Sequence, residues 1–82
     1  MRHYLLVSRD NDSIWYGYFD NESSTSGKWS KWQSSLTIAV TTDLVPFDDG
    51  STYTKYLTYI QTERPNWRYI ELQFPLTIGG LS

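Results

Sequence analysis

Cysteine is absent from the chain, and histidine occurs once, as His3. Without thiols no disulfide can form. With a single imidazole the nitrogen and sulfur ligands of a zinc or iron–sulfur centre cannot be assembled, so no metal and no other cofactor is expected. Positive charge is sparse as well: seven Lys and Arg stand against nine Asp and Glu, for a net charge of −2. The basic residues are scattered singly, at Arg2, Arg9, Lys28, Lys31, Lys55, Arg64 and Arg68. Proteins that hold duplex nucleic acid present a clustered basic stripe, so a duplex is not an expected partner. Long apolar runs are missing too. No segment approaches the roughly 18 apolar residues of a membrane span, and the opening MRHYLLVSRD turns charged too quickly for a signal peptide. The expectation is a soluble protein of the cytoplasm (host cytoplasm if the source is viral) without a membrane partner.

What the chain holds in abundance is aromatic mass. Trp, Tyr and Phe make up 17% of its 82 residues. A single small domain of this length, residues 1–82, has little surface to bury. Each large ring removes on the order of 150–250 Å² from water, so a few rings can replace many aliphatic side chains. Tyr and Trp are also enriched at protein interfaces, the second use to which such residues are put.

The pattern along the chain predicts an α+β fold: a small antiparallel sheet with one helix packed on one face, in the order β-β-β-α-β. Residues 3–9 and 14–19 are β-rich and joined by the turn cluster Asp10-Asn11-Asp12-Ser13, which reads as a hairpin. Alternation puts Trp15 and Phe19 on one face of the second strand and Ile14, Tyr16 and Tyr18 on the other. Gly17, between two tyrosines, suggests a bulge or a close approach. Residues 21–35, NESSTSGKWSKWQSS, read as a Ser-rich loop. In LTIAVTT, residues 36–42, strict alternation predicts a half-buried strand with Leu36, Ile38 and Val40 inward.

Residues 51–63 place Tyr53, Tyr56, Leu57 and Ile60 on one helical face, with Ser51 as N-cap and Pro65 as the stop. Thr and Tyr favour strands, which leaves a long strand as the alternative there and an all-β meander or small barrel of about five strands as the alternative fold. Residues 67–78 read as a last strand with Ile70, Leu72, Phe74, Leu76 and Ile78 on its apolar face. Pro75 confines it to an edge or interrupts it.

Chemistry is thinly represented. Nucleophilic catalysis needs an activated Ser, Thr or Cys with a base in reach, and His3 has no neighbouring partner in sequence. Asp48 and Asp49 are explained by solvation and by the positive end of the following helix. Gly27 and Gly79-Gly80 belong to no phosphate-cradling motif. No catalytic residue is assigned and no enzyme is expected.

The leading expectation is a small acidic protein-binding module that acts by occupying a surface, of the kind phages and mobile elements use to inhibit host defence proteins. Its contact residues would come from Trp29, Trp32, Lys28, Lys31, Tyr16, Tyr18, Asp48 and Asp49, and the acids would suit a partner with a basic surface. Carbohydrate or small-ligand binding is a second reading, with Trp15, Trp29, Trp32 and Trp67 as stacking residues. Single-stranded nucleic-acid binding on exposed rings is a third. An edge strand with surplus aromatics would also serve a homodimer. Trp29 and Trp32, three apart, would point to opposite faces of an extended segment, one into the core and one outward.

Overall fold

The computed structural model describes residues 1–77. Strand β1 (His3–Ser8) turns back into β2 (Ile14–Phe19), and β3 (Gly27–Trp29) follows after a polar loop. Helix α1 (Leu36–Thr41), the short strand β4 (Val45–Pro46), helix α2 (Tyr53–Glu63) and strand β5 (Arg68–Leu72) complete the order. All pairings are antiparallel, and the sheet runs β4-β3-β2-β1-β5. It is an open sheet, not a barrel, and the fold is α+β as the sequence pattern predicts.

Two backbone hydrogen bonds set the hairpin turn. The Arg9 N–H donates to the Ser13 carbonyl at 2.8 Å, and Asp12 N–H donates to Arg9 at 3.1 Å. Asp12 takes a positive φ of 69°, a conformation short acidic residues tolerate. The register that follows pairs Leu5 with Gly17 and Val7 with Trp15, so Leu5, Val7, Trp15 and Phe19 share one face. Tyr53, Tyr56 and Ile60 of α2 close over that face, together with Phe47. Trp15 and Phe19 are fully buried, and each such side chain contributes roughly 1.5–3 kcal/mol by leaving water. The rings interlock edge to face, Phe19 against Phe47 at 4.7 Å and Trp15 against Phe47 at 5.8 Å.

Gly17 is a point of close approach and not a bulge. It pairs with Trp29 across the β2–β3 ladder, and a methyl group there would run into the Lys28 carbonyl oxygen.

The structure corrects several expectations. Residues 36–41 form a helix, not a strand. Ser35 caps it by accepting the Ile38 N–H at 3.2 Å, and Ala39 becomes the buried residue, while Ile38 stands 43% exposed. A capped turn that packs against β2 outweighs the β preference of Ile and Val. Among the described residues there are consequently two helices and not one. The cap of α2 is Thr52, not Ser51: its hydroxyl accepts the Lys55 N–H at 3.1 Å.

The last strand is shorter than residues 67–78 and shows the other face. Pairing with β1 sets Tyr69 opposite Val7 and Glu71 opposite Leu5, so these two turn toward α2, while Ile70 and Phe74 are exposed. Because side chains alternate strictly, the neighbour's register decides which set is buried, whatever the hydropathy. Pro75 lies beyond the end of β5, an edge strand. Ile78 and Gly79-Gly80 lie outside the described residues.

The segment read as a loop at 21–35 contains β3, and Gln33 bridges to Ile14. Its serine end is closed by local bonds: Asn21 Oδ1 accepts from Ser23 N–H at 3.0 Å, and Ser24 Oγ from Ser26 N–H at 2.9 Å.

Candidate functional site

Trp29 and Trp32 line the same cleft instead of opposite faces. The reason is local. Strand β3 ends at Trp29, and Lys31 adopts a left-handed backbone with φ of 57°, which breaks the extended alternation. Ser30 holds this corner in place. Its N–H donates to the Tyr16 carbonyl at 2.7 Å, and its Oγ accepts the Tyr16 N–H at 2.9 Å while donating to the Lys31 carbonyl at 2.8 Å. Gln33 then rejoins β2 opposite Ile14. Trp32 is thereby set beside the β1–β2 turn.

The cleft measures about 620 Å³, within the range of ligand pockets. Trp29, Phe47 and Tyr56 line it along the core, and Trp32, Trp67 and Tyr59 line it farther out. The outer rings form a ladder, with Trp32 edge-on to Trp67 at 5.2 Å and Trp67 edge-on to Tyr59 at 6.3 Å. Two cations lie on it. The Arg9 guanidinium sits 3.8 Å from the Trp32 ring centre, and the Arg64 guanidinium lies 5.6 Å from both Tyr59 and Trp67. Asp10 and Asp49 stand at the exposed rim, and Asn11 and Ser51 complete the polar lining.

Two N–H donors here are buried without a hydrogen-bond partner among the described residues: Arg9 Nε and Trp15 Nε1. Trp15 lies behind the cleft, in ring contact with Trp29 and Tyr56. Tyr56 is buried, and its hydroxyl is held well above the usual tyrosine range, first by burial and then by the negative charge of Asp49, with Arg9 opposing. It stays a neutral phenol at any ordinary pH.

The other expected contact residues lie elsewhere. Tyr16 and Tyr18 are buried on the opposite face, stacked with and tilted against Tyr4. The Tyr16 hydroxyl accepts the Leu76 N–H at 2.9 Å. Burial raises the Tyr16 pKa, and that bond partly offsets the rise. Lys28 borders a shallower hollow of about 400 Å³ with Arg2, Tyr18 and Asp20. Lys31 and Asp48 are exposed and line neither depression. Of the two acids expected as contact residues, Asp49 lines the cleft, where its Oδ1 accepts the Ser51 N–H at 2.9 Å.

Arg9, Arg64, Tyr56 and Tyr59 are the residues that sequence reasoning missed. The signal was topological: once Gln33 is known to pair with Ile14, the hairpin turn and Trp32 become neighbours.

His3 packs its ring 4.7 Å from that of Tyr53. Among the described residues no three His, Cys, Asp or Glu side chains converge as metal ligands, and no helix is long and apolar enough to cross a membrane. Comparison with protein-family models, curated proteins and solved structures finds no match, so the reading of this cleft rests on its own geometry.

Proposed function

We propose that the protein is a non-catalytic binding module that occupies a surface of another protein, with the aromatic cleft as its anchor point. The observation that carries this reading is the convergence of Trp29, Trp32, Trp67 and Tyr59 with Arg9 and Arg64 on one open depression. Trp, Tyr and Arg are the residue types that dominate binding hot spots, because they combine large buried area with directed polar groups. Rings already locked edge to edge lose little freedom when a partner arrives, which favours affinity in a small domain. Inhibition of a larger protein by simple occupation suits such a module.

A second reading is carbohydrate binding, favoured by a specific feature: Asp10, Asn11 and Asp49 share the cleft with the rings, and carboxylate and amide groups beside aromatic platforms suit sugar hydroxyls.

Affinity capture from cells of the native source tests the first reading. Tagged protein, Arg64→Ala, Trp32→Ala and an Ile70→Thr variant on the opposite face are compared. The expected result is a partner retained by native protein and Ile70→Thr and lost with both cleft variants. A partner held equally by all four would overturn the assignment of the cleft. Saturable binding of a neutral oligosaccharide to the cleft tryptophans would favour the second reading instead.

A further inference from the structure

Of the chain's four arginines, Arg2, Arg9, Arg64 and Arg68, Arg2 is the one with an ion-pair partner among the described residues. Arg2 has an acidic partner, Asp20, at 3.8 Å. Arg9 and Arg64 have none within ion-pair distance among the described residues, although Asp10 and Asp49 line the same cleft. Among the described residues the Arg64 guanidinium makes one hydrogen bond, a long 3.5 Å contact to the Glu63 carbonyl. Arg9 is more telling, because its Nε–H is buried and unpartnered. A charged donor withdrawn from water and left unpaired is costly. Its position is nonetheless fixed from both ends: the Arg9 backbone closes the hairpin turn through Ser13 and Asp12, and the guanidinium lies on the Trp32 ring. Arg64 approaches the same Trp67 ring that Arg9 does, each at 5.6 Å, so the two guanidinium carbons are at most twice that distance apart.

We propose that the cleft contains a carboxylate-binding subsite, in which the Arg9 guanidinium, with Arg64 beside it, receives the carboxylate of a partner polypeptide while an adjoining side chain of that partner lies among the rings. This rests on the protein-binding reading and specifies the chemistry of the partner. A guanidinium presents paired N–H donors that match a planar carboxylate, and with the Arg9 Nε–H buried the pair offered to a partner is that of the two terminal Nη groups. The formal charges of Arg9 and Arg64 are cancelled across the cleft by Asp10 and Asp49. A singly charged carboxylate is therefore accommodated more readily than a doubly charged phosphate. The partner segment is acidic at its point of insertion, whereas a reading from Asp48 and Asp49 alone points to a basic one.

Heteronuclear NMR on the intact protein tests this, following the Arg9 Nε–H and the Trp32 and Trp67 indole N–H signals. N-acetyl-phenylalanine supplies a terminal carboxylate beside a ring, N-acetyl-aspartyl-phenylalaninamide supplies a side-chain carboxylate, and N-acetyl-phenylalaninamide supplies neither. At least one of the two acids is expected to shift all three signals saturably, with the neutral amide about tenfold weaker, the difference one charge-assisted hydrogen bond makes. Which acid binds more tightly distinguishes a chain terminus from an acidic side chain. In Arg9→Lys, which keeps the charge but loses the paired planar donors, the preference for acid over amide is expected to fall to about twofold or less. Equal affinity for acids and amide, no shift with either acid, full preference retained by Arg9→Lys, or saturation by inorganic phosphate at lower concentration would each overturn the subsite. If these fail while capture still depends on Trp32 and Arg64, the carboxylate assignment falls and the protein-binding reading stands.

Discussion

The Tyr53 hydroxyl donates a 2.6 Å hydrogen bond to Glu71 Oε1, tying the first turn of α2 to the edge strand β5. It is paired along the helix by a second tie, from Gln61 Nε2 to the Tyr69 hydroxyl at 2.7 Å. Tyr69 and Glu71 are the residues of β5 that face α2, so the helix holds the edge strand by polar tips above an aromatic layer. Removing the hydroxyl in Tyr53→Phe deletes one bond to a carboxylate that water can still reach, so the loss is expected to be about 1 kcal/mol. Urea unfolding of Tyr53→Phe against native protein reads this directly. A loss several times larger would mean that Glu71 depends on Tyr53 to stay in place.

The same contact enters the pH dependence. Tyr16, Tyr53 and Tyr56 all have hydroxyls whose pKa is raised above the ordinary 10.0, with burial the largest cause in each. In the unfolded chain they ionise near the ordinary value. Above it the folded protein keeps protons that the unfolded chain has released, so stability falls as pH rises. Below it the contribution is fully present and flat. The urea midpoint should therefore be insensitive to these groups up to about pH 9 and drop steeply above about pH 10. In phenolate absorbance the contributions of Tyr16, Tyr53 and Tyr56 should appear late, above the ordinary tyrosine range. Tyr53→Phe should flatten the alkaline slope, and an unchanged slope would remove Tyr53 from the linked set.

Gly17 is a point of close approach between β2 and β3. A Cβ at that position would meet the Lys28 carbonyl oxygen and lie 2.8 Å from Trp29 Cα, both backbone atoms with no freedom to move aside. Gly17→Ala is expected to cost roughly 1–3 kcal/mol and to loosen the cleft, since Trp29 would move with its strand. Gly50→Ala is the comparison. Nothing lies near a Cβ there, and its cost comes only from a φ of 82°, about 1 kcal/mol. Equal losses in the two variants would show that backbone conformation, not strand contact, sets the requirement at Gly17.

The arrangement of the first hairpin was legible in the sequence, because alternation along HYLLVS and IWYGYF has a single consistent reading once the turn is placed. Helix α2 was legible for the same reason, with Tyr53, Tyr56 and Ile60 at helical spacing against β-favouring composition. LTIAVT misled because alternation and a short capped helix make opposite use of Ala39, and only the packing against β2 decides between them. β5 misled because Tyr69 and Glu71, not the more apolar set with Ile70 and Leu72, are placed opposite Val7 and Leu5, a choice made by the register with β1. The cleft was half legible. Trp29, Trp32 and Trp67 stood out as rings, but Arg9 and Arg64 are isolated in the chain and acquire meaning only when the Ile14–Gln33 bridge brings the turn and the tryptophans together.

That corner depends on two residues with opposite expected behaviour. Ser30→Ala strands the Tyr16 N–H, which is buried and has the Ser30 hydroxyl as its acceptor. The expected cost is about 1–3 kcal/mol. Lys31→Gly places the residue that prefers positive φ where φ is 57°, so it should be neutral or stabilising by up to about 1 kcal/mol. Lys31→Val should destabilise, because a β-branched residue resists that region. Thermal or urea unfolding of the three variants checks the order. Lys31→Val as stable as native protein would show that the corner tolerates an extended residue.

Tryptophan emission separates the core from the cleft. Trp15 is fully buried, while Trp29, Trp32 and Trp67 are partly open. The Arg9 guanidinium lies 3.8 Å from the Trp32 ring centre and the Arg64 guanidinium 5.6 Å from that of Trp67, so an anion in contact with these rings is beside a guanidinium. Iodide should therefore quench the outer indoles more strongly than caesium at equal ionic strength, although the protein as a whole is acidic. Screening by added salt should narrow the difference, as expected for charges exposed to solvent. Arg64→Ala should also narrow it without changing stability by more than about 0.5 kcal/mol. A protein that keeps Trp15 alone, with the other three replaced by Phe, should resist both ions. Stronger quenching by caesium would reverse the local sign of the cleft, and with it the picture of two arginines presenting free donors to whatever binds there.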